Sequence, residues 1–184
     1  MIHYKAIYEK IFSISNYSIN SDRKQTCQLV HNYLTGDEKG VIDIGSGRGP
    51  VLIELMTKFD KAQILSCDLK KFHDYDISFR KLDLSLKVDR DAVLKEFFRF
   101  DFLTCMDVLE HIEEKYLDDT LKFFKGISRR HLIVVANHSD VWGQELHLIQ
   151  ESMNWWENRF LKYFSILDKK SIHSERAYVF HTRS

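Results

Sequence analysis

Net charge is the first thing this chain lacks: 27 Lys and Arg balance 27 Asp and Glu over 184 residues. Without a charge excess there is no global attraction for nucleic acid or anionic lipid, although a local basic patch stays open. Cysteine is scarce as well. Cys27, Cys67 and Cys105 are scattered, with no C-x-x-C pair. An odd cysteine count and no signal-peptide pattern point to a reducing cytoplasm. Cys67 and Cys105 fall inside apparent strands and read as small core residues. No apolar run is long enough to cross a bilayer, and no internal repeat or low-complexity segment interrupts the chain. Proline is reduced to Pro50. What the sequence does have is core: 44% hydrophobic and 13% aromatic residues, enough for one folded domain.

The most informative stretch is Val41-Ile42-Asp43-Ile44-Gly45-Ser46-Gly47-Arg48-Gly49-Pro50. Three apolar residues around one acid read as a short buried strand, which breaks into glycines at alternate positions. Val51 to Met56 then resumes with helical character, and Pro50 suits the first helical turn, where a missing N–H costs nothing. A strand, a glycine turn and a helix let a ligand approach bare backbone. The dinucleotide fingerprint G-x-G-x-x-G needs a small residue at position 50, where this chain has proline.

Elsewhere strands and helices alternate. Gln63 to Asp68 is a second short strand ending in an acid. In a doubly wound sheet such an acid commonly accepts from both hydroxyls of a ribose, although it can also cap the next turn. Ile77 to Leu84 alternates as a third strand. Helices follow over 89–100, 113–125 and 153–164, and strands over 100–106 and 131–137. The run His131 to Asn137 is the most continuous apolar one, as expected of a central strand buried on both faces. The segments 164–167 and 177–181 read as a closing antiparallel pair. Before all this, Ile7-Tyr8-Ile11-Phe12 is spaced as a short helix, and a second helix runs from Arg23 to Leu34 with Ser21 or Asp22 as cap. This helical preface covers one sheet edge, or residues 1–20 also close over a substrate.

Two segments carry a family resemblance. Asp43-x-Gly45-x-Gly47-x-Gly49 resembles the first motif of the class I S-adenosylmethionine-dependent methyltransferases, and Asp107-Val108-Leu109-Glu110-His111-Ile112 resembles their fourth. The resemblance covers about 40–182. It implies a single domain over 1–184, with N-terminal helices over 1–38 and a Rossmann-like core over 40–182. The expected fold is α/β, a doubly wound, mostly parallel seven-stranded sheet with a final antiparallel strand and a helical N-terminal extension. The cofactor implied is S-adenosylmethionine. Its implied contacts are Asp43, Gly45, Ser46, Gly47 and Gly49 on the methionine part, Asp68 and Leu69 at the ribose, Asp83 and Leu84 at the adenine, and Met106, Asp107 and His111 in the fourth motif.

The reaction so implied is attack of a nucleophile on the sulfonium methyl carbon, in line with the departing sulfur. The protein aligns the partners and removes a proton if the nucleophile is a hydroxyl. Histidine has a useful pKa for that step, and His138 and His147 stand just after the fifth strand. Gly143-Gln144-Glu145-Leu146-His147 followed by Trp155-Trp156 loosely resembles the Gly-x-x-x-His and Trp helix of small bacterial methyltransferases of sugar and secondary metabolism, which makes His147 the first choice for the base and His138 the second. His138, Asp140, Glu145 and His147 contain metal-ligand types, but their spacing demands no ion, and none is expected. The expected partner is a small polar or sugar-like acceptor, methylated on oxygen, and neither nucleic acid nor membrane; the oligomeric state is not legible. The family's Asp-Pro-Pro-Tyr of base-methylating enzymes and Pro-Cys of cytosine enzymes are both absent, which lowers an RNA or protein substrate. A catalytically silent cofactor-binding or partner-binding module on the same fold is the alternative.

Overall fold

A computed structural model gives the fold and describes residues 7, 10, 11, 23–140 and 145–184. The helices are α1 (Arg23–Tyr33), α2 (Pro50–Leu55), α3 (Lys87–Glu96), α4 (Glu114–Ile127) and α5 (Met153–Phe160). The strands are β1 (Val41–Ile44), β2 (Ile64–Asp68), β3 (Ser78–Lys81), β4 (Phe100–Met106), β5 (Ser128–Ala136), β6 (Ser165–Ile172) and β7 (Ala177–Arg183). They form one seven-stranded sheet in the order β3-β2-β1-β4-β5-β7-β6. Strands β1 to β5 pair in parallel, whereas β7 runs antiparallel to both β5 and β6. This is the architecture expected from the sequence.

Both faces of the central strands are buried, so each strand alternates between two apolar cores rather than between core and solvent. Ile42, Ile44, Leu65, Cys67, Leu103, Cys105, Ile133 and Val135 face one core, which receives Val93 of α3, Leu117, Leu121 and Phe124 of α4, and Trp156 and Phe160 of α5. Val41, Ile64, Phe102, Leu132, Val134 and Val179 face the other, against Val30 of α1 and Val51, Leu52 and Leu55 of α2. Helix α4 turns Leu117, Leu121 and Phe124 inward, the i, i+4, i+7 stripe of an amphipathic helix.

One crossover departs from the regular alternation. No helix joins β2 to β3; the connection is a loop over 69–77. In place of a helix it packs rings, with His73 stacked on Tyr75 at 5.4 Å and edge-on to Phe79 at 6.3 Å. The last strands also extend further than expected, because β6 and β7 continue pairing up to Ile172 and Ala177. Helix α1 lies near that edge, where the Tyr33 hydroxyl donates to Asp168 of β6 at 2.5 Å. Of the N-terminal stretch, Ile7, Lys10 and Ile11 are helical and Ile11 is buried; the rest of residues 1–22, with its lid reading, lies outside the described residues. So do Gly143 and Gln144 of the loop after β5.

The sheet order decides where a ligand fits. The chain winds from β1 outward through β2 to β3 on one side and then returns to β4 on the other side of β1, and a crevice opens at the carboxyl ends of strands at such a reversal. Phe124 is fully buried beneath this sheet. Truncating it leaves a cavity that the packed core closes only in part, so Phe124→Ala should cost about 3–5 kcal/mol. Urea denaturation followed by circular dichroism measures this, and a loss below about 1 kcal/mol would contradict the packing described.

Candidate active site

The glycine turn after β1 is built from left-handed backbone. Gly45, Gly47 and Gly49 have φ of 75°, 50° and 81°, angles that strain any residue with a Cβ. Space forbids one as well. A Cβ on Gly45 would stand 2.1 Å from Cγ2 of Val108, and one on Gly49 would stand 2.6 Å from the Tyr75 ring. The turn is tied to the end of β2, since the Gly45 and Ser46 amides both donate to the Cys67 carbonyl at 2.8 and 3.2 Å.

Asp68, the last residue of β2, completes this corner. Its carboxylate accepts from the Gly47 amide at 2.8 Å and from the Leu69 amide at 2.6 Å. Burial raises its pKa to about 6, although the two amides favour the charged form. Beneath the turn, Asp43, Ser66 and Thr104 lie side by side on three strands in register. Thr104 donates to Asp43 Oδ1 at 2.6 Å, whereas the buried Oδ2 has no partner among the described residues. Burial, with the nearby Asp68 charge, pushes Asp43 up to about 7. Ser46 meets Ser66 at 2.8 Å, and Ser66 meets His73 Nε2 at 2.9 Å, so the turn leans on the β2–β3 loop.

Asp83 and Leu84 take a different setting. The Asp83 carboxylate accepts from the Ser85 amide and hydroxyl at 2.9 and 2.6 Å, shaping the entry to α3. Leu84 is buried, and its carbonyl accepts from Arg90 and, at 3.4 Å, from Thr120.

The segment after β4 runs from the glycine turn to a second cluster. Met106 ends the strand, and the Asp107 amide continues the sheet by donating to Val134 at 3.0 Å. Asp107 has φ 53°, an uncommon backbone for a residue with a side chain. Val108 covers Gly45, and a 3-10 turn over Leu109–His111 follows. Glu110 is fully buried. Its Oε1 accepts from the Ala136 amide at 2.9 Å, and Oε2 has no partner among the described residues. Its main-chain carbonyl accepts from Leu148 and Ile149 at 2.7 and 3.1 Å, which clamps the loop after β5 onto the 3-10 turn.

That clamp brings the histidines together. The His111 and His147 rings sit edge to face at 4.6 Å, and His138 and His147 at 4.8 Å. His111 Nδ1 lies 3.1 Å from the Leu146 carbonyl, and His147 Nδ1 lies 2.5 Å from the His138 carbonyl. A ring nitrogen facing a carbonyl is an N–H, so in the neutral form of either ring Nε2 carries the lone pair. Burial, helped by the neighbouring His147, lowers His111 to about 3, and burial raises Glu110 well above the carboxylate range. The Glu145 carboxylate braces the loop, accepting from Ser139 and from the amides of Asp140 and His147 at 2.8 and 3.0 Å.

Residues 19–174 match a family profile described as a methyltransferase domain. The chain belongs to that family. It is an S-adenosylmethionine-dependent class I methyltransferase. Solved structures share the fold at low identity. A putative methyltransferase of Haloferax volcanii, in complex with the Trm112 activator, is 13% identical over 96% of each chain with a TM-score of 0.75. The PH0226 protein of Pyrococcus horikoshii is 11% identical over 100% of this chain and 99% of its own, at 0.72. The 1,6-didemethyltoxoflavin-N1-methyltransferase of Burkholderia thailandensis, bound to its substrate and S-adenosylhomocysteine, is 15% identical over 99% and 89%, at 0.71. No curated protein matches this sequence. The corner suits the cofactor of the methyltransferase in its donor chemistry: Asp68, a carboxylate that can accept from hydroxyl donors, stands against the glycine turn, while Val108 and Tyr75 pack on Gly45 and Gly49.

Thus the glycines, Asp68, Leu69 and the Met106–Val108 segment share one corner, and His111, His138 and His147 share another. Sequence reasoning missed Glu110, His73 and Tyr75. Glu110 stands inside the fourth motif, but nothing in its one-dimensional surroundings says that it is buried. The signal for His73 and Tyr75 was a loop unusually rich in rings.

The buried Asp43 makes a pH prediction. A carboxyl whose folded pKa is raised favours the protonated fold, so stability is lost as pH rises from about 4, the unfolded value, through 7. The shift corresponds to about 4 kcal/mol at pH 8. Asp43→Asn keeps the shape without the charge, so in the cofactor-free protein its stability relative to wild type should rise steadily between pH 4 and 8. Thermal melts across that range test this; a flat difference would mean that Asp43 does not titrate in the fold.

Proposed function

We propose that this methyltransferase moves the sulfonium methyl of S-adenosylmethionine to a hydroxyl oxygen of a small polar, sugar-like acceptor. In this reading the Gly45–Gly49 turn, with Ser46, Met106 and Asp107, faces the methionine part, and Asp43 supports the turn from below. Asp68 and Leu69 take the ribose, Asp83 and Leu84 the adenine end, and His111 closes the border with the acceptor. The acceptor lies over the carboxyl ends of β4 and β5. The support is the pinned pair of imidazoles: a hydroxyl must lose its proton as the carbon–oxygen bond forms, and His111 and His147 stand ring against ring, each with Nδ1 anchored on a main-chain carbonyl. His138 acts through its carbonyl, which sets the His147 ring, so it is a positioning residue. Free, buried Cys67 and Cys105 fit a cytoplasmic enzyme. Among the described residues no helix is long and apolar enough to cross a membrane.

Two measurements follow. Asp68→Ala removes an acceptor of charge-assisted hydrogen bonds worth roughly 1.5–3 kcal/mol each. Calorimetry should show S-adenosylhomocysteine binding weakened at least about tenfold with the fold intact. Wild-type affinity should also fall as pH drops below about 6, where the free carboxyl protonates. Unchanged affinity in the folded variant would assign Asp68 to the turn alone.

The second measurement concerns turnover. A screen of sugars and hydroxylated metabolites for S-adenosylhomocysteine release identifies the acceptor. With it, His147→Ala should lower kcat by about 10²–10⁴ and leave cofactor affinity nearly unchanged. Full turnover in that variant would remove the histidine cluster from the reaction, and cofactor binding without turnover on any acceptor would favour a silent module.

A further inference from the structure

We propose that Glu110, His111 and His147 form a binding site for one divalent transition-metal ion, with an open position for the acceptor hydroxyl. One ligand atom from each of the three residues lies within 4.8 Å of the other two. With metal–nitrogen and metal–oxygen bonds of about 2.0–2.2 Å, ligand atoms settle roughly 3–3.5 Å apart, so side-chain shifts of about 1 Å close the site.

Three features separate this cluster from a chance gathering. Glu110 is shielded from water: it is fully buried, and among the described residues Oε2 has no hydrogen-bond partner and no ion pair includes the side chain. A carboxylate left so in the interior is costly unless an ion or a proton meets it. Both histidines direct Nδ1 at a main-chain carbonyl, Leu146 for His111 and His138 for His147. Metal-binding histidines are held in this way, with the second nitrogen oriented toward the ion. The spacing is also enforced by the backbone, because the Glu110 carbonyl holds the Leu148 and Ile149 amides next to the His147 loop. Asp140, whose Oδ2 is 4.0 Å from His147 Nε2, stands beside the site as a further oxygen.

Two imidazoles and one carboxylate suit zinc, cobalt, iron or manganese better than magnesium or calcium, which favour oxygen-only sets. Val108, one turn before His111, covers Gly45, so the ion would stand at the border between the glycine turn and the acceptor space. The chemical role rests on the methyl-transfer reading given above. A hydroxyl bound to the ion is a stronger acid: its proton leaves to solvent, the alkoxide oxygen bonds to the methyl carbon, and the carbon–sulfur bond breaks. The products are the ether, S-adenosylhomocysteine and one proton. The two histidines then act as ligands, and neither needs to take the proton itself.

The test uses the full chain, stripped with a chelator and titrated with Co²⁺ by calorimetry and visible absorption. One ion per chain should bind, and the absorption should carry the signature of nitrogen ligation. Glu110→Gln and His147→Ala should each weaken binding at least about tenfold. If one variant does not fold, as judged by circular dichroism, the other decides. Failure of Co²⁺, Zn²⁺ and Mn²⁺ alike to bind the folded chain, or binding indifferent to the substitutions, would overturn the site. S-adenosylhomocysteine binding, measured on the same stripped protein, reports separately on the methyltransferase reading. Restored turnover on adding the ion to stripped enzyme supports the catalytic role; full turnover with metal removed overturns it.

Discussion

The contact between Val108 and Gly45 joins the two halves of this molecule's working face. It exists because β1 and β4 are parallel neighbours whose chains leave the sheet at the same end, one into a glycine turn and the other into a 3-10 turn. With no side chain on Gly45, the two turns can touch, and a side chain there would push them apart. The glycine corner and the histidine cluster are therefore at a fixed separation. An enzyme that only has to align two reactants depends on that separation more than on any one functional group.

Charge is arranged unequally between the two ends of the sheet. At the end where the parallel strands begin, acids have cations: Arg130 pairs with Glu38, and Arg129 with Asp101 at 2.8 Å. At the carboxyl end, Asp43, Asp68 and Glu110 are buried or partly buried, and no ion pair among the described residues includes them. Their raised pKa values share their largest cause, the loss of water around a carboxylate, to which a neighbouring carboxylate adds at Asp43 and at Glu110. The fold tolerates this because two large apolar cores flank the same strands. A face with uncompensated acids is suited to ligands that bring hydroxyl donors or positive charge.

The loop after β5 shows how a local element becomes functional through distant contacts. Local contacts shape residues 145–149: the Glu145 brace, the Leu146 amide on the Asp140 carbonyl and the His147 ring on the His138 carbonyl. Their position against the 3-10 turn comes from Glu110, nearly 40 residues earlier, whose carbonyl accepts from the Leu148 and Ile149 amides. The same residue supplies the buried carboxyl beside the histidines, so one side chain and its own backbone serve both scaffold and site.

The glycine turn, the acid ending β2 and the alternation of strands with helices could be read directly from the sequence, because each depends on local chemistry. Alternate glycines permit left-handed backbone, a continuous apolar run requires burial on both faces, and strand–turn–helix spacing defines the crossover. The sequence by itself thus determined the class of sheet, the family resemblance and the acid at the end of β2. Which side chains meet beyond one crossover was decided only by the tertiary structure. His138 and His147 could be named as loop histidines, but their joining with His111 depends on the Glu110 clamp, a contact between segments that no periodicity relates. The burial of Glu110 and Asp43 is likewise a property of what surrounds them in three dimensions. Dielectric environment is not written in neighbouring letters; it is set when the strands pair and water leaves.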